Sequence, residues 1–216
     1  MISNSRKLLH SIVISLLLMT SILSAAFFVR TAEAKPKTDA QAFHDGMRKL
    51  WEDHITWTRL VIVSLANDLP DTQTTVDRLL QNQVDIGDAV KPFYGEAAGD
   101  QLTALLTDHI LIAAEVIVAA KAGDTAAFDD ALARWYENAD DIAEFLSAAN
   151  PKNWPLEEMR EMMREHLDLT LQEAGTYLGG DFAASVAAYE DVHVQALEMA
   201  DMLSNGIIRQ FPSKFK

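Results

Sequence analysis

Three histidines recur along this chain at nearly equal spacing, and an acidic residue directly precedes each of them. His54, His109 and His166 follow one another at intervals of about 56 residues. A second acidic series recurs with the same period, and its first members are Asp85, Asp141 and Glu198. Imidazole and carboxylate together are ligands for transition-metal ions. The matching periods predict three copies of one unit of about 56 residues.

Helical periodicity with turn signals at regular intervals predicts an all-α protein. Six amphipathic segments alternate with Pro, Gly and Asp residues that end or cap helices, and no strand-like alternation competes with them. Among these residues, Gly123 is expected to end the third helix, and Asp124 and Asp181 to cap the fourth and sixth. The expected fold is six helices in three antiparallel hairpin repeats that form one helical bundle. The repeat units are expected at about 42–95, 96–150 and 151–210.

The turn positions predict which residues face one another. In an antiparallel hairpin, two residues equally far from the turn lie side by side. The midpoints between each histidine and the acid of its own unit fall beside Pro70, Asp124 and Asp181. Each histidine also lies on an apolar stripe, so its ring is expected to point inward. We therefore expect an interior layer in which each histidine faces a carboxylate.

Such a layer has two interpretations. The first is non-catalytic binding of a cation for storage, buffering or sensing, with these three histidines and three acids as ligands; the mixed ligand set suits zinc, iron, manganese or oxidised copper. The second is a structural or protein-interaction module without metal, in which the polar pairs only fix the register of the helices. Duplication of a stable hairpin would copy either arrangement equally well.

The third unit departs from the other two by gaining ligand-type residues. Asp191 replaces the arginine of the other units, His193 replaces a leucine and a tyrosine, and Glu173 replaces two valines. Glu190 precedes His193 by three residues, the spacing used by di-iron carboxylate bundles. A ferritin-like oxidase needs a second such motif, which the positions before the three recurrent histidines do not supply. A separate site formed by His166, Glu173, Glu190 and His193 remains open.

Residues 1–34 have the composition of a secretory signal. Arg6 and Lys7 precede an apolar run from Leu8 to Val29, and the small residues Ala32 and Ala34 then match a cleavage site. An uncleaved anchor is the alternative, because the run is long enough to cross a bilayer. We expect cleavage, no stable membrane span afterwards, and a secreted or envelope-retained protein. Residues 35–216 are expected to form a single helical domain.

Charge limits the partners of that domain. Residues 1–34 contain one of the 32 acidic and three of the 18 basic residues, so the remainder has a formal net charge of −16. This surface repels nucleic acid and favours cations, a basic protein or the cell wall. No phosphate-binding glycine loop, nucleophile elbow or cysteine indicates an enzyme, and enzyme activity is the least favoured interpretation.

Three stretches also resemble a known family. Trp51–Arg59 (WEDHITWTR), Asn82–Pro92 (NQVDIGDAVKP) and Asp108–Leu111 (DHIL) are similar to segments of small bacterial secreted helical proteins. The family is one without an assigned activity, so the resemblance implies a helical fold in which these polar positions matter and implies no reaction.

Overall fold

The computed structural model describes residues 39–215, which form six α-helices and no strand. The helices are α1 (Asp39–Ala66), α2 (Thr72–Tyr94), α3 (Glu96–Ala122), α4 (Thr125–Ala149), α5 (Leu156–Leu178) and α6 (Phe182–Gln210), followed by a short 3-10 helix (Pro212–Phe215). The predicted all-α class is confirmed. The predicted signal segment, residues 1–34, lies outside the described residues.

Local chemistry explains several of the helix boundaries. Asp124 and Asp181 cap α4 and α6, accepting hydrogen bonds from the backbone N–H groups of Ala127 and Ala184. Gly123 ends α3 with a φ of 68°, a left-handed conformation that glycine adopts at little cost. α2 continues through Pro92 for a final part-turn, so this proline does not end the helix by itself.

The packing of the helices brings the three odd-numbered helices together. Each helix packs against its neighbours in the chain, and α6 packs against α1. In addition, α1, α3 and α5 contact one another, so they approach the interior of the unit, and each even-numbered helix packs against two odd-numbered ones. Packing does not single out three hairpins, because α2 packs against α3 as extensively as against α1.

Helix α3 is unusually apolar. Within residues 39–215 it is the one helix with the length and composition of a membrane span. In its most apolar window, 39 % of the residues are buried by the protein itself. Its central histidine, His109, is bonded to α4, so this apolar surface partly serves the packing of the bundle.

Two apolar regions fill the interior on either side of the histidines. Toward the start of the odd-numbered helices the core contains Trp51, Met163 and Met199. Toward their ends it contains Val61 and Ile62, together with other aliphatic residues of α3 and α5. The recurrent histidines therefore form a polar layer between two hydrocarbon layers.

Candidate functional site: the histidine layer

The three recurrent histidines meet in the interior. His54 on α1, His109 on α3 and His166 on α5 are each about 3 % exposed. The ring centroids of His54 and His166 are 5.8 Å apart, and those of His109 and His166 are 6.2 Å apart. The inward orientation expected from the apolar stripes is confirmed, and His166 contacts both of the other rings.

Carboxamides on the following helix hold these rings. Asn138 Oδ1 lies 2.8 Å from Nδ1 of His109, and Gln195 Oε1 lies 3.1 Å from Nδ1 of His166. Both oxygens are acceptors, so in both rings Nδ1 carries the proton and donates it. His54 contacts two carboxamides, Asn82 and Gln83, which raise its pKa against the larger effect of burial.

The same carboxamides also bond the backbone across each helix pair. Their side-chain nitrogens donate to the carbonyl oxygen four residues before the histidine, and the three pairs are Asn82 with Leu50 (3.0 Å), Asn138 with Leu105 (3.1 Å), and Gln195 with Met162 (3.0 Å). Each carboxamide therefore links a histidine ring, its helix backbone and the next helix. These bonds satisfy groups that would otherwise be costly to bury.

All three imidazoles are neutral near pH 7. Burial lowers the pKa of His109 to about 3 and that of His166 to about 4, with the charge of His166 also acting on His109. Burial, followed by the charges of His166 and His109, lowers the pKa of His54 well below its usual value. In a neutral ring with its proton on Nδ1, Nε2 has a free lone pair.

The Nε2 atoms are the uncommitted groups of this layer. No hydrogen bond joins Nε2 of these three rings to another described residue. Because Nδ1 of each ring points at the following helix, Nε2 on the far edge points away from that helix. Nε2 of His109 and of His166 therefore presents a lone pair to the space between α1, α3 and α5, whereas Gln83 Nε2 donates to Nδ1 of His54 at 3.3 Å, so the His54 ring carries its proton on Nε2.

The expectation that carboxylates face the histidines is wrong. Asp141 and Glu198 are exposed, and Asp85 is only partly buried, with Gln81 donating to it at 3.1 Å. The bonded carboxamides lie three residues earlier on the same helices, which places them on a neighbouring face of the helix. Burying an uncharged amide costs much less than burying a carboxylate, so the interior position goes to the amide.

The residues of the separate site proposed for the third unit do not come together. His166 bonds Gln195, whereas His193 bonds Glu52 at 2.9 Å, and Glu190 is exposed. Two residues along a helix correspond to about 200°, so with Gln195 turned inward His193 is turned outward.

Glu173 belongs to a different cluster. It is 1 % exposed and accepts a hydrogen bond from Arg59 at 3.0 Å. Burial raises its pKa to about 6, against the opposing effect of Arg59. The guanidinium also lies over the ring of Tyr177, 5.0 Å from its centroid, and donates to Ser185 at 2.6 Å. This is an internal ion pair that joins α1 to α5 and α6.

The carboxamides that hold the rings were not among the predicted site residues, yet they too recur in the sequence. Asn82, Asn138 and Gln195 recur with the same period as the acids, each standing three positions before one of them. Their signal is weaker because the third member is glutamine, and because a polar residue beside an apolar stripe is common on helix surfaces. Gln83 has no counterpart in the other units and could not be found by repetition.

No three histidine, aspartate or glutamate side chains between residues 39 and 215 are arranged closely enough to hold a metal ion as they stand. No family model, curated protein or solved structure matches this chain.

Proposed function

We propose that this protein binds one divalent transition-metal ion, without catalysis, through Nε2 of His54, His109 and His166. The observation that carries the proposal is the meeting of three buried, neutral imidazoles whose Nδ1 atoms face carboxamides. Histidines that bind metals commonly donate their other ring N–H to an oxygen, which fixes the tautomer and the ring orientation. Asn138 and Gln195 supply such oxygens.

The distances between the rings are near those that a shared ion requires. An ion held by three Nε2 atoms at about 2.0–2.1 Å separates the ring centroids by about 5–5.5 Å. The separations in the structure, 5.8 Å for His54 and His166 and 6.2 Å for His109 and His166, exceed this range by between about 0.3 and 1.2 Å. Binding therefore has to draw α1, α3 and α5 slightly together around the ion. In His54 the proton has to move from Nε2 to Nδ1, which requires the Gln83 amide to turn its buried, unpartnered Oε1 toward Nδ1 in place of its nitrogen.

The ligand types in the layer limit which metal ions it can bind tightly. Among zinc, iron, manganese and copper, a set of imidazoles with no carboxylate favours zinc and copper, because manganese prefers oxygen ligands and ferrous iron binds a given nitrogen site less tightly than zinc or copper does. Three protein ligands also leave a fourth position for water or an anion. An acidic surface raises the local concentration of cations. We place this binding outside the cytoplasm, on the composition of residues 1–34.

The same proposal includes a threefold repeat of one helical hairpin along the chain. It is supported by the three carboxamide bonds to backbone carbonyls, whose donors recur with the period of the acids and whose acceptors each precede a histidine by four residues. A repeated unit would bring one histidine from each copy to a common axis, and one ion would then close the three copies around it.

The test is calorimetric titration of the purified protein with Zn²⁺, Cu²⁺, Co²⁺, Fe²⁺ and Mn²⁺. We expect one ion per chain, with zinc or copper bound most tightly. His109→Gln should weaken binding by about 100-fold or more, because it removes a ligand. His193→Gln is the matched control, since its ring bonds Glu52 outside the layer. Stoichiometry below about 0.1 for every metal, or equal effects of the two variants, would overturn the proposal.

A structural layer without metal is the second candidate. It is favoured by the carboxamide bonds, which satisfy Nδ1 and already link each odd-numbered helix to the next one. In that case the acidic exterior would meet a basic protein or the cell wall. The two candidates separate in the titration: for the structural layer, His109→Gln changes the free energy of unfolding and no metal binds to either chain.

A further inference from the structure

A cavity of about 50 Å³ lies next to the histidine layer. The same positions of all three odd-numbered helices contribute to its wall, namely the residues four and eight places after each histidine: Thr58 and Ile62, Ala113 and Ile117, Thr170 and Ala174. At about 1.5 Å per residue these positions stand about 6 and 12 Å beyond the rings. The cavity therefore begins one helical turn from the histidine layer and extends between α1, α3 and α5.

The wall of this cavity is hydrocarbon in character. Thr58 and Thr170 each donate their hydroxyl to the backbone carbonyl of the histidine four residues earlier, both at 2.8 Å. Those two hydroxyls therefore have no proton left to donate into the cavity. Trp135 also lines the cavity, and its buried indole nitrogen has no hydrogen-bond partner among the described residues. A water molecule needs two to four polar partners, whereas the surface that the wall exposes to this cavity is almost entirely carbon.

The volume of the cavity limits which molecules it can hold. One water needs about 10–15 Å³ of such space, while an engineered apolar cavity of about 150 Å³ in another protein takes benzene or xenon. The present volume lies between the two. We infer that this cavity binds an uncharged, apolar molecule of the size of dioxygen. The inference goes beyond the proposed metal binding and does not depend on it.

A second cavity provides an internal control. It lies on the other side of the histidine layer, has a volume of about 20 Å³, and is also lined by apolar residues, among them Trp51, Ile86 and Ile142. It has the same chemical character and less than half the volume. A ligand selected by volume should enter the first cavity and not the second, whereas general solubility of gas in the core would affect both.

The experiment is methyl NMR of the full chain under dioxygen pressure, with nitrogen as the diamagnetic reference and no metal added. Dioxygen is paramagnetic, so a methyl group beside bound dioxygen relaxes faster. We expect the enhancement at Ile62 and Ile117 to exceed that at Ile86 and Ile142 by about threefold or more, since a preformed apolar cavity concentrates apolar gas.

Filling the cavity should abolish the difference. Ala113→Leu adds three carbon atoms to the wall, and Ala174→Val adds two from another helix, so the second variant serves if the first does not fold. In a folded variant, a return of the Ile62 and Ile117 enhancements to the level of Ile86 and Ile142 supports the inference. Equal enhancement at both cavities in the natural chain, or no effect of filling in a folded variant, overturns it. Because no metal is present, either result leaves the metal titration to be judged separately.

Discussion

Asn138 on α4 bonds His109 on α3 through its side-chain oxygen, 2.8 Å from Nδ1, while its side-chain nitrogen donates to the backbone of Leu105 at 3.1 Å. One uncharged side chain thus fixes the ring, its protonated nitrogen and the register of two helices. Gln195 does the same for His166. The acid expected to face His109, Asp141, is exposed three residues further along α4.

Substituting Asn138 by leucine should destabilise the protein much more than substituting Asp141 by asparagine. Asn138→Leu leaves a buried Nδ1–H without a partner and removes the bond to the Leu105 carbonyl, which keeps its bond within α3, at a cost of about 1–3 kcal/mol in the free energy of unfolding. Asp141→Asn alters an exposed group and should change it by less than about 0.5 kcal/mol. Urea unfolding of both variants measures the difference. Equal losses would show that the carboxamide does not hold the layer.

Stability should fall as the solution becomes acidic. The pKa values of His109 and His166 are lowered by burial to about 3 and 4, and that of His54 is also lowered, while an unfolded histidine titrates near 6.5. Below about 6.5 the unfolded chain therefore binds protons that the folded chain does not. Each buried histidine then contributes a loss of up to about 1.4 kcal/mol per pH unit.

Glu173 opposes this trend over a narrower range. Its pKa is raised to about 6, so between its ordinary value and pH 6 the folded chain binds the extra proton and gains stability as the pH falls. Because one carboxyl group opposes three histidines, the net effect of acidification is still a loss of stability. Urea unfolding at pH 5, 6 and 7 tests this, with His193→Gln as a control that keeps all three buried rings. A free energy of unfolding that rises toward pH 5 would contradict the neutral layer.

Zinc affinity should depend little on pH between 5.5 and 7.5. Metal binding ordinarily releases protons from histidine in this range, but these three rings are already neutral when folded. Titrations at three pH values should give dissociation constants within about threefold of one another. A decrease in affinity of tenfold or more at the lower pH would indicate that exposed histidines bind the metal instead.

The acids expected as ligands should be dispensable for zinc binding. The triple variant Asp85→Asn, Asp141→Asn and Glu198→Gln changes groups that lie outside the histidine layer, two of them fully at the surface. Its zinc affinity should stay within about threefold of the natural chain, since only long-range attraction is lost and salt screens it. A decrease in zinc affinity of about 100-fold would indicate that these carboxylates are ligands.

Two glycine-to-alanine substitutions, one of them a control, test the close packing of α2 against α3. A Cβ at Gly87 would overlap Thr103 Oγ1 and lie 2.7 Å from the backbone oxygen of Gly99, so Gly87→Ala must separate the helices. The expected cost is about 1–3 kcal/mol. Gly46 lies within α1 with nothing near its Cβ position, and Gly46→Ala should stabilise by about 1 kcal/mol through helix propensity. Thermal unfolding compares the two, and a neutral Gly87→Ala would contradict the close approach.

The sequence was informative where a structural feature depends on neighbouring residues. The caps at Asp124 and Asp181 and the end of α3 at Gly123 are local, and each was predicted. The inward orientation of His109 follows from the apolar residues around it on the same helix. Such features require no knowledge of how helices pack.

Contacts between helices were predicted less well. Counting from a turn locates the facing position only to about one helical turn, which does not distinguish Asn138 from Asp141. The choice between them depends on burial energy, which favours the uncharged group. Similarly, Glu173 was placed with His166 by spacing, but its partner Arg59 is distant in the chain and lies on α1. Spacing along one helix carries no information about such a distant partner.

We propose that His54, His109 and His166 together bind one metal ion. X-ray absorption at the zinc edge of the zinc-loaded protein is the direct test of this ligand set. We expect nitrogen or oxygen ligands at about 2.0 Å, with outer-shell scattering from three imidazoles, falling to two in His166→Gln. Zinc with scattering from one imidazole or none, or a protein that retains no zinc, would contradict it.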